Sequence, residues 1–183
     1  MKLLACPKCH QQLHLENKTL KCENNHCYDI SKRGYINLLL NPDKATNNPG
    51  DSKESLVARK AYLNKGYYDP ILNQVITCID EFKHQDDLSI LDLGCGEGYY
   101  TQGLKKHFEN SDIYGLDISK IAIDMATRYR KDVTWLVGNS KNIPILDHSL
   151  DFICALFTVV NQDELKRALK EDGYIAVSYT HLR

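Results

Sequence analysis

A short apolar run, Ser89-Ile90-Leu91-Asp92-Leu93, leads directly into Gly94-Cys95-Gly96-Glu97-Gly98, and a helical pattern starts at Tyr99. Strand, glycine-rich turn and helix in that order make the first unit of a doubly wound parallel sheet, so this stretch restricts the chain to α/β folds. The glycines let the backbone come close to a ligand, and the helix behind them turns its first N–H groups toward it. The alternation then repeats. A strand over residues 112–116 ends at Asp117, and Ser119 caps a helix through Ala122, Ile123, Met125 and Ala126. Residues 133–137 form a third strand that delivers Gly138-Asn139-Ser140. A turn at Asn142-Ile143-Pro144 precedes a fourth strand over residues 150–157.

The acidic residue in front of the loop narrows the ligand. A dinucleotide pyrophosphate would be repelled by Asp92, whereas the ammonium of the amino-acid tail of S-adenosylmethionine would be attracted. The loop also lacks the G-x-G-x-x-G spacing of the dinucleotide fingerprint. Asp117, about 20 residues past the loop, stands where a carboxylate accepts both ribose hydroxyls. At Asn139-Ser140 an amide can hydrogen-bond the adenine edge. Asp92, Gly94, Gly96, Gly98, Asp117, Asn139 and Ser140 are therefore the expected cofactor contacts. The expected fold is a Rossmann-like class I S-adenosylmethionine-dependent methyltransferase sheet.

In front of the sheet, Asp51-Ser52 offers a helix N-cap, and Pro70 opens a second helix whose apolar face is Leu72, Val75, Ile76, Ile79 and Phe82. Tyr67 and Tyr68 lie at the break between the two.

Seven cysteines are unevenly placed, four of them (Cys6, Cys9, Cys22, Cys27) within the first 27 residues. Such clustering in a reducing compartment points to metal rather than disulfides. Cys6-Pro7-Lys8-Cys9 and a second knuckle at Cys22, joined by a hairpin carrying Leu13, Leu15 and Leu20, can close a tetrahedral Zn²⁺ site. Spacing leaves the fourth ligand open between His26 and Cys27. So small a module has too little apolar area to fold unaided, and the metal would supply much of its stability. Cys78, Cys95 and Cys154 are expected to pack as small buried hydrophobes.

Composition sets the remaining bounds. With 43% hydrophobic residues the chain can bury a core. No apolar run approaches the roughly 20 residues that span a bilayer, and the start lacks a signal-peptide pattern, so a cytoplasmic protein is expected. Residues 1–66 hold eleven Lys and Arg against six Asp and Glu, the rest twelve against eighteen. A basic front end suits phosphate only slightly better than a plain solvated surface. The division expected is a zinc module over residues 1–40, a Pro- and Asn-rich linker over 41–51, and the methyltransferase domain over 52–183.

Taken with Gly34-Tyr35-Ile36-Asn37-Leu38-Leu39, Pro49-Gly50-Asp51-Ser52 and Gly66-Tyr67-Tyr68, the knuckles and the cofactor loop resemble the bacterial 23S rRNA (guanine-N1)-methyltransferases of the RlmA/RrmA type. Macrolide-resistance enzymes of the tylosin kind share that family. The likeness runs from about Leu4 to Ala176. It implies Cys6, Cys9, Cys22 and His26 as the zinc ligands, and Tyr68, Gly96 and Glu97 as cofactor contacts. It also implies recognition of a 23S rRNA hairpin by the zinc module, and methyl transfer to guanine N1. A homodimer is compatible with it.

The segment Ala155-Leu156-Phe157-Thr158-Val159-Val160-Asn161 stands where the family has a proline-containing active-site turn, yet it holds no proline. No residue stands out as the base for the guanine N1 proton. Asn161, which ends that segment, and Asp163, two residues beyond it, are the groups considered for that role. The sheet is expected to be incomplete at its C-terminal side, with residues 177–183 foreign to the fold. Two other readings stay open: a small-molecule methyltransferase carrying a structural zinc knuckle, and an inactive zinc-containing RNA-binding fragment.

Overall fold

The computed structural model describes residues 1–40 and 50–178, so most of the expected linker and the last five residues lie outside the described residues. Three short strands, β1 (His14–Glu16), β2 (Thr19–Lys21) and β3 (Cys27–Asp29), form an antiparallel sheet in the order β1-β2-β3. Leu13 and Leu20 are buried beneath this sheet, while Leu15 faces solvent.

The larger sheet has six strands, all paired in parallel: β4 (Ile36–Asn37), β5 (Ser89–Leu93), β6 (Asp112–Asp117), β7 (Thr134–Val137), β8 (Leu150–Leu156) and β9 (Leu169–Ser178). Their spatial order is β4-β7-β6-β5-β8-β9. From β5 the chain winds one way through β6 and β7, then returns to the other side of β5 for β8 and β9. The reversal between β5 and β8 is a topological switch point, where open α/β sheets bind ligands beyond the C-terminal strand ends.

Among the described residues five helices complete the fold: α1 (Lys53–Leu63), α2 (Asp69–Phe82), α3 (Tyr99–His107), α4 (Lys120–Ala126) and α5 (Gln162–Ala168). Local chemistry sets their starts. The Ser52 side chain accepts from the Ser55 N–H at the head of α1, and Pro70 sits in the first turn of α2. Ser119 accepts from the Ala122 N–H, as expected of the α4 cap. Helix α5 was not evident from sequence; Asn161 caps it by accepting from the Asp163 and Glu164 N–H groups.

Strand alternation divides the core in two. Ile90, Ile113, Trp135, Phe152 and Cys154 face one way and pack with Val75 and Ile79 of α2, Leu104 of α3 and Ile123 of α4. Leu91, Leu93, Tyr114, Leu116, Leu136 and Ile153 face the other way and share a cluster with Leu4, Cys6, Leu13, Leu20 and Cys22. Leu165 and Ala168 of α5 complete that cover. The cysteine-bearing front end thus lies flat on the parallel sheet. It is pinned by an antiparallel bridge between Leu4 and Ile145, by the Ala5 N–H to the Pro144 carbonyl (3.0 Å), and by Asn142 Nδ2 to the Pro7 carbonyl (2.9 Å).

Several details differ from the sequence reading. Val177 and Ser178, expected to be foreign to the fold, end β9 and pair with Ala155 and Leu156 of β8. Strand β7 starts one residue later than expected, at Thr134. Strand β8 stops at Leu156, because Phe157 adopts φ 58°, a left-handed conformation that ends an extended strand. Cys95 and Cys154 are buried as expected, but Cys78, on the outer part of α2, is only half-buried. Strand β4 was unforeseen. It comes from within residues 1–40 and extends the large sheet, pairing Ile36 with Leu136 and Asn37 with Val137.

Candidate metal centre and cofactor cleft

The knuckles bring Cys6, Cys9, Cys22 and His26 together, with all four ligand atoms within 4.8 Å of one another. His26 Nδ1 lies 3.4 Å from Cys6 Sγ and 3.5 Å from both Cys9 Sγ and Cys22 Sγ, and the Cys9 and Cys22 sulfurs are 3.6 Å apart. A tetrahedral zinc ion with Zn–S near 2.3 Å and Zn–N near 2.0 Å sets its ligands about 3.5–3.8 Å apart. The donor set and its spacing fit that ion. Cys27 is exposed, and its sulfur turns to the Asn25 carbonyl at 3.4 Å, which leaves it outside the cluster. The Tyr28 hydroxyl donates to Cys6 Sγ at 3.3 Å, a contact that neutralises part of a thiolate's charge. Sequence offered no sign of this partner, since it depends on the register of β3 against β2.

At the switch point two hollows flank the glycine loop, and Gly94 lines both. The first, about 220 Å³, is walled by Leu116, Asp117, Ile118, Gly138, Asn139 and Ser140, with Thr158 across from them. The second, about 260 Å³, takes in Gly96, Glu97, Tyr100, Arg59, Tyr68 and Phe157. Of the nine expected cofactor contacts, the structure places Gly94, Asp117, Asn139 and Ser140 on the first and Tyr68, Gly96 and Glu97 on the second. Gly94 has φ 74°, and a Cβ there would collide with the Thr158 side chain, so any larger residue would both strain the loop and close the cleft.

Asp92 and Gly98 line neither hollow. Asp92, 1% exposed, accepts a hydrogen bond from Thr101 Oγ1 at 2.5 Å, so its charge acts from beneath the loop. Gly98 adopts φ 86° at the head of α3, and a Cβ there would meet the Trp135 ring at 2.6 Å; its place is one of packing.

Three carboxylates converge here. Burial pushes the Asp92 carboxyl up to about 7, against the pull of the Thr101 hydroxyl and with added repulsion from Asp117 and Glu97. Burial likewise raises Glu97 and Asp117 above the usual carboxylate range. Asp117 accepts from the Gly96 N–H and the Ser119 N–H, both at 2.8 Å, which holds the loop against the end of β6. Buried acids that repel one another favour a cationic ligand, and a sulfonium or an ammonium meets that requirement.

The mouth of the second hollow is aromatic. Tyr62 packs on Tyr67 and Tyr68, with ring centroids 5.2 and 6.0 Å away, and Phe157 stands edge-on to Tyr68 at 5.9 Å. Phe157 is 46% exposed despite its size and its left-handed backbone. Sequence alone did not single out Tyr62 or Phe157, because their meaning lies in where α1 and the end of β8 meet. Asn161 is occupied as the cap of α5, which removes it from the proton-accepting groups considered for this segment.

Comparison with known proteins matches residues 4–45 to the zinc-ribbon family described as "RlmA, N-terminal" and residues 90–173 to "Methyltransferase domain". The chain is 28% identical over 179 residues to the 23S rRNA (guanine(748)-N(1))-methyltransferase of Streptomyces fradiae, covering 97% of this chain and 63% of that enzyme. It is 30% identical over 180 residues to YxjB of Bacillus subtilis (strain 168), named for 23S rRNA guanine-N1 methylation, covering 94% of this chain and 62% of YxjB. Along nearly its whole length the chain is similar to proteins named as 23S rRNA (guanine-N1)-methyltransferases.

It spans less than two thirds of the length of these relatives. Demethylmenaquinone methyltransferase of Thermotoga maritima is 34% identical, but over 82 residues only, or 45% of this chain and 36% of that enzyme. Among solved structures, an S-adenosyl-L-methionine-dependent methyltransferase fold from Methanococcus maripaludis aligns with a TM-score of 0.58 at 23% identity, over 72% of this chain and 67% of that one. The plantazolicin methyltransferase BpumL, solved with S-adenosylhomocysteine, gives 0.56 at 20%, over 69% of this chain and 53% of that one. Likeness at this level establishes the class I methyltransferase fold.

Proposed function

We propose that this chain belongs to an enzyme that transfers a methyl group from S-adenosylmethionine to N1 of a guanine in a 23S rRNA hairpin. The observation that carries the reading is the docking of a Cys₃His zinc module flat on a methyltransferase sheet. The relatives matched along nearly the whole chain, module and sheet together, are named for that reaction, whereas the quinone methyltransferase matches 45% of it.

The residues divide the work. Asp117, Asn139 and Ser140 face the nucleoside end of the cofactor, and the glycine loop with Glu97 and Tyr68 faces its amino-acid end. S-adenosylmethionine supplies an electrophilic methyl group on a cationic sulfur. The chain's part is to hold donor and acceptor in line and to keep water out. Tyr62, Tyr68 and Phe157 offer flat faces against which a splayed purine stacks, the way single-stranded RNA bases are read. Lys2, Lys8, Lys18 and Lys32, all exposed on or beside the zinc module, supply phosphate contacts. The zinc ion, with four protein ligands, is structural.

Methyl transfer from labelled S-adenosylmethionine to a short 23S rRNA hairpin transcript tests the reading, with a transcript whose target guanine is replaced by adenine as control. Label appearing as 1-methylguanosine is the expected outcome. Label transferred to a quinone or other small acceptor, and none to RNA, would overturn it.

A further inference from the structure

Tyr28 is the middle residue of β3, where it stands opposite Leu20 of β2 and packs, half-buried, against the core shared with the parallel sheet. Phenylalanine would fill that place as well. What tyrosine adds is a hydroxyl, and the register of β3 carries it across 22 residues of sequence to Cys6 Sγ, 3.3 Å away. Cys6 is wholly buried in the same core, and its sulfur lies 3.4 Å from His26 Nδ1. The hydroxyl thus reaches a sulfur that the metal needs.

The charge on the site gives that contact its weight. A zinc ion bound by three thiolates and a neutral imidazole leaves one surplus negative charge, and here the charge lies on an apolar core. Buried charge is costly unless hydrogen-bond donors share it. Two of the sulfurs are served by the main chain: Cys9 takes a hydrogen bond from the backbone of Gln11, and Cys22 from the backbones of His26 and Asn24. Those donors come with the fold and survive substitution of any side chain. The hydroxyl on Cys6 does not, because it depends on which residue stands at position 28. A metal-bound thiolate carries no proton, so in the loaded site the hydroxyl is the donor. We propose that Tyr28 is a positioning residue of the metal centre, its hydroxyl donating to the Cys6 thiolate, offsetting the surplus charge and so tightening zinc binding. This assignment rests on the reading that zinc fills the Cys₃His cluster. Because Cys6 also covers the parallel sheet, Tyr28 sets how low free zinc can fall before that cover is lost.

Zinc competition against a chromophoric chelator, on the full chain and its Tyr28→Phe variant, measures the first consequence. The variant should bind zinc about tenfold more weakly, the lower end of what losing a hydrogen bond to a metal ligand costs. Substitution of Co²⁺ for zinc supplies a readout that packing does not move. Without the donor the Cys6 sulfur is richer in electrons. The sulfur-to-cobalt charge-transfer band of the variant should therefore shift to lower energy, while the d–d bands of a tetrahedral site persist. A weaker site with an unmoved charge-transfer band would overturn the proposal, since the loss would then come from packing alone. So would an unchanged zinc affinity, or a variant that no longer forms the tetrahedral site at saturating Co²⁺. Wild type that binds neither zinc nor Co²⁺ would instead overturn the metal reading itself, and the role of Tyr28 with it.

Discussion

Asp92, Glu97 and Asp117 put three carboxylates around one loop, and burial raises all three. The consequence for stability has a definite sign. Asp92 titrates near 7 when folded and near 3.8 when free, so between those values the folded chain holds a proton that the unfolded chain releases. The stability this group contributes is complete below about pH 4 and is lost as pH rises through about 7. An asparagine side chain at this position cannot ionise and still offers Thr101 an acceptor. The variant Asp92→Asn should therefore gain on wild type as pH rises, by an amount on the order of 2–4 kcal/mol between pH 5 and pH 8. Denaturant unfolding of both proteins at the two pH values, with zinc present, measures the gap. A gap that does not change with pH would mean that Asp92 is not buried as a titrating acid. The same variant should weaken S-adenosylmethionine binding, because the cation loses a countercharge.

At the scale of elements, what sequence revealed was local. The β5–loop–α3 unit, the end of β6 at Asp117 and the Ser119 cap are each specified by residues within a turn of one another, so their patterns read directly. Strand β4 did not read, because two residues make a strand only when β7, a hundred residues away, offers an edge. Helix α5 was equally hidden: Gln162–Ala168 is short and mostly polar, with only Leu165 and Ala168 buried, and it gives no periodic apolar face. The candidate site divides in the same manner. Sequence found the charges and glycines of the loop, but not that Thr101 covers Asp92 or that Phe157 turns its ring into the cleft. The zinc ligands show the reverse case. Spacing left His26 and Cys27 level, and geometry separated them through a sulfur that turns outward. Asn161 illustrates how an element reassigns a residue, from proton acceptor to helix cap. Asn161→Ala should cost about 1 kcal/mol of stability, the usual worth of an N-cap, and leave the pH dependence of methyl transfer unaltered. A fall in methyl transfer far beyond the lost stability, at a temperature where the variant is fully folded, would restore Asn161 to the chemistry.

The whole molecule is governed by the way its two sheets share a core. In a doubly wound fold both faces of a parallel sheet must be covered, because each is lined with apolar side chains. Here α2, α3 and α4 cover one face, while Leu4, Cys6, Leu13, Leu20 and Cys22 join α5 in covering the other. Two of those covering residues are zinc ligands. The metal therefore fixes part of the sheet's core as well as the knuckles, and β4 ties the same segment to β7 by backbone pairing. Chelation should consequently unfold more than the module. Losing its cover would expose Leu91, Leu93, Leu116 and Leu136, and with Leu93 and Leu116 goes the wall of the first hollow. We expect a strong chelator to lower the melting temperature by roughly ten degrees or more, on the order of several kcal/mol lost from a domain of this size. S-adenosylmethionine binding should disappear in parallel, and both should return on adding Zn²⁺. Far-ultraviolet dichroism and calorimetry on the same sample follow the two together. A chelated chain that kept its cofactor affinity and melted in two separate steps would show the module to be a detachable arm. Coincident loss would mean that zinc holds up the parallel sheet as well as its own module.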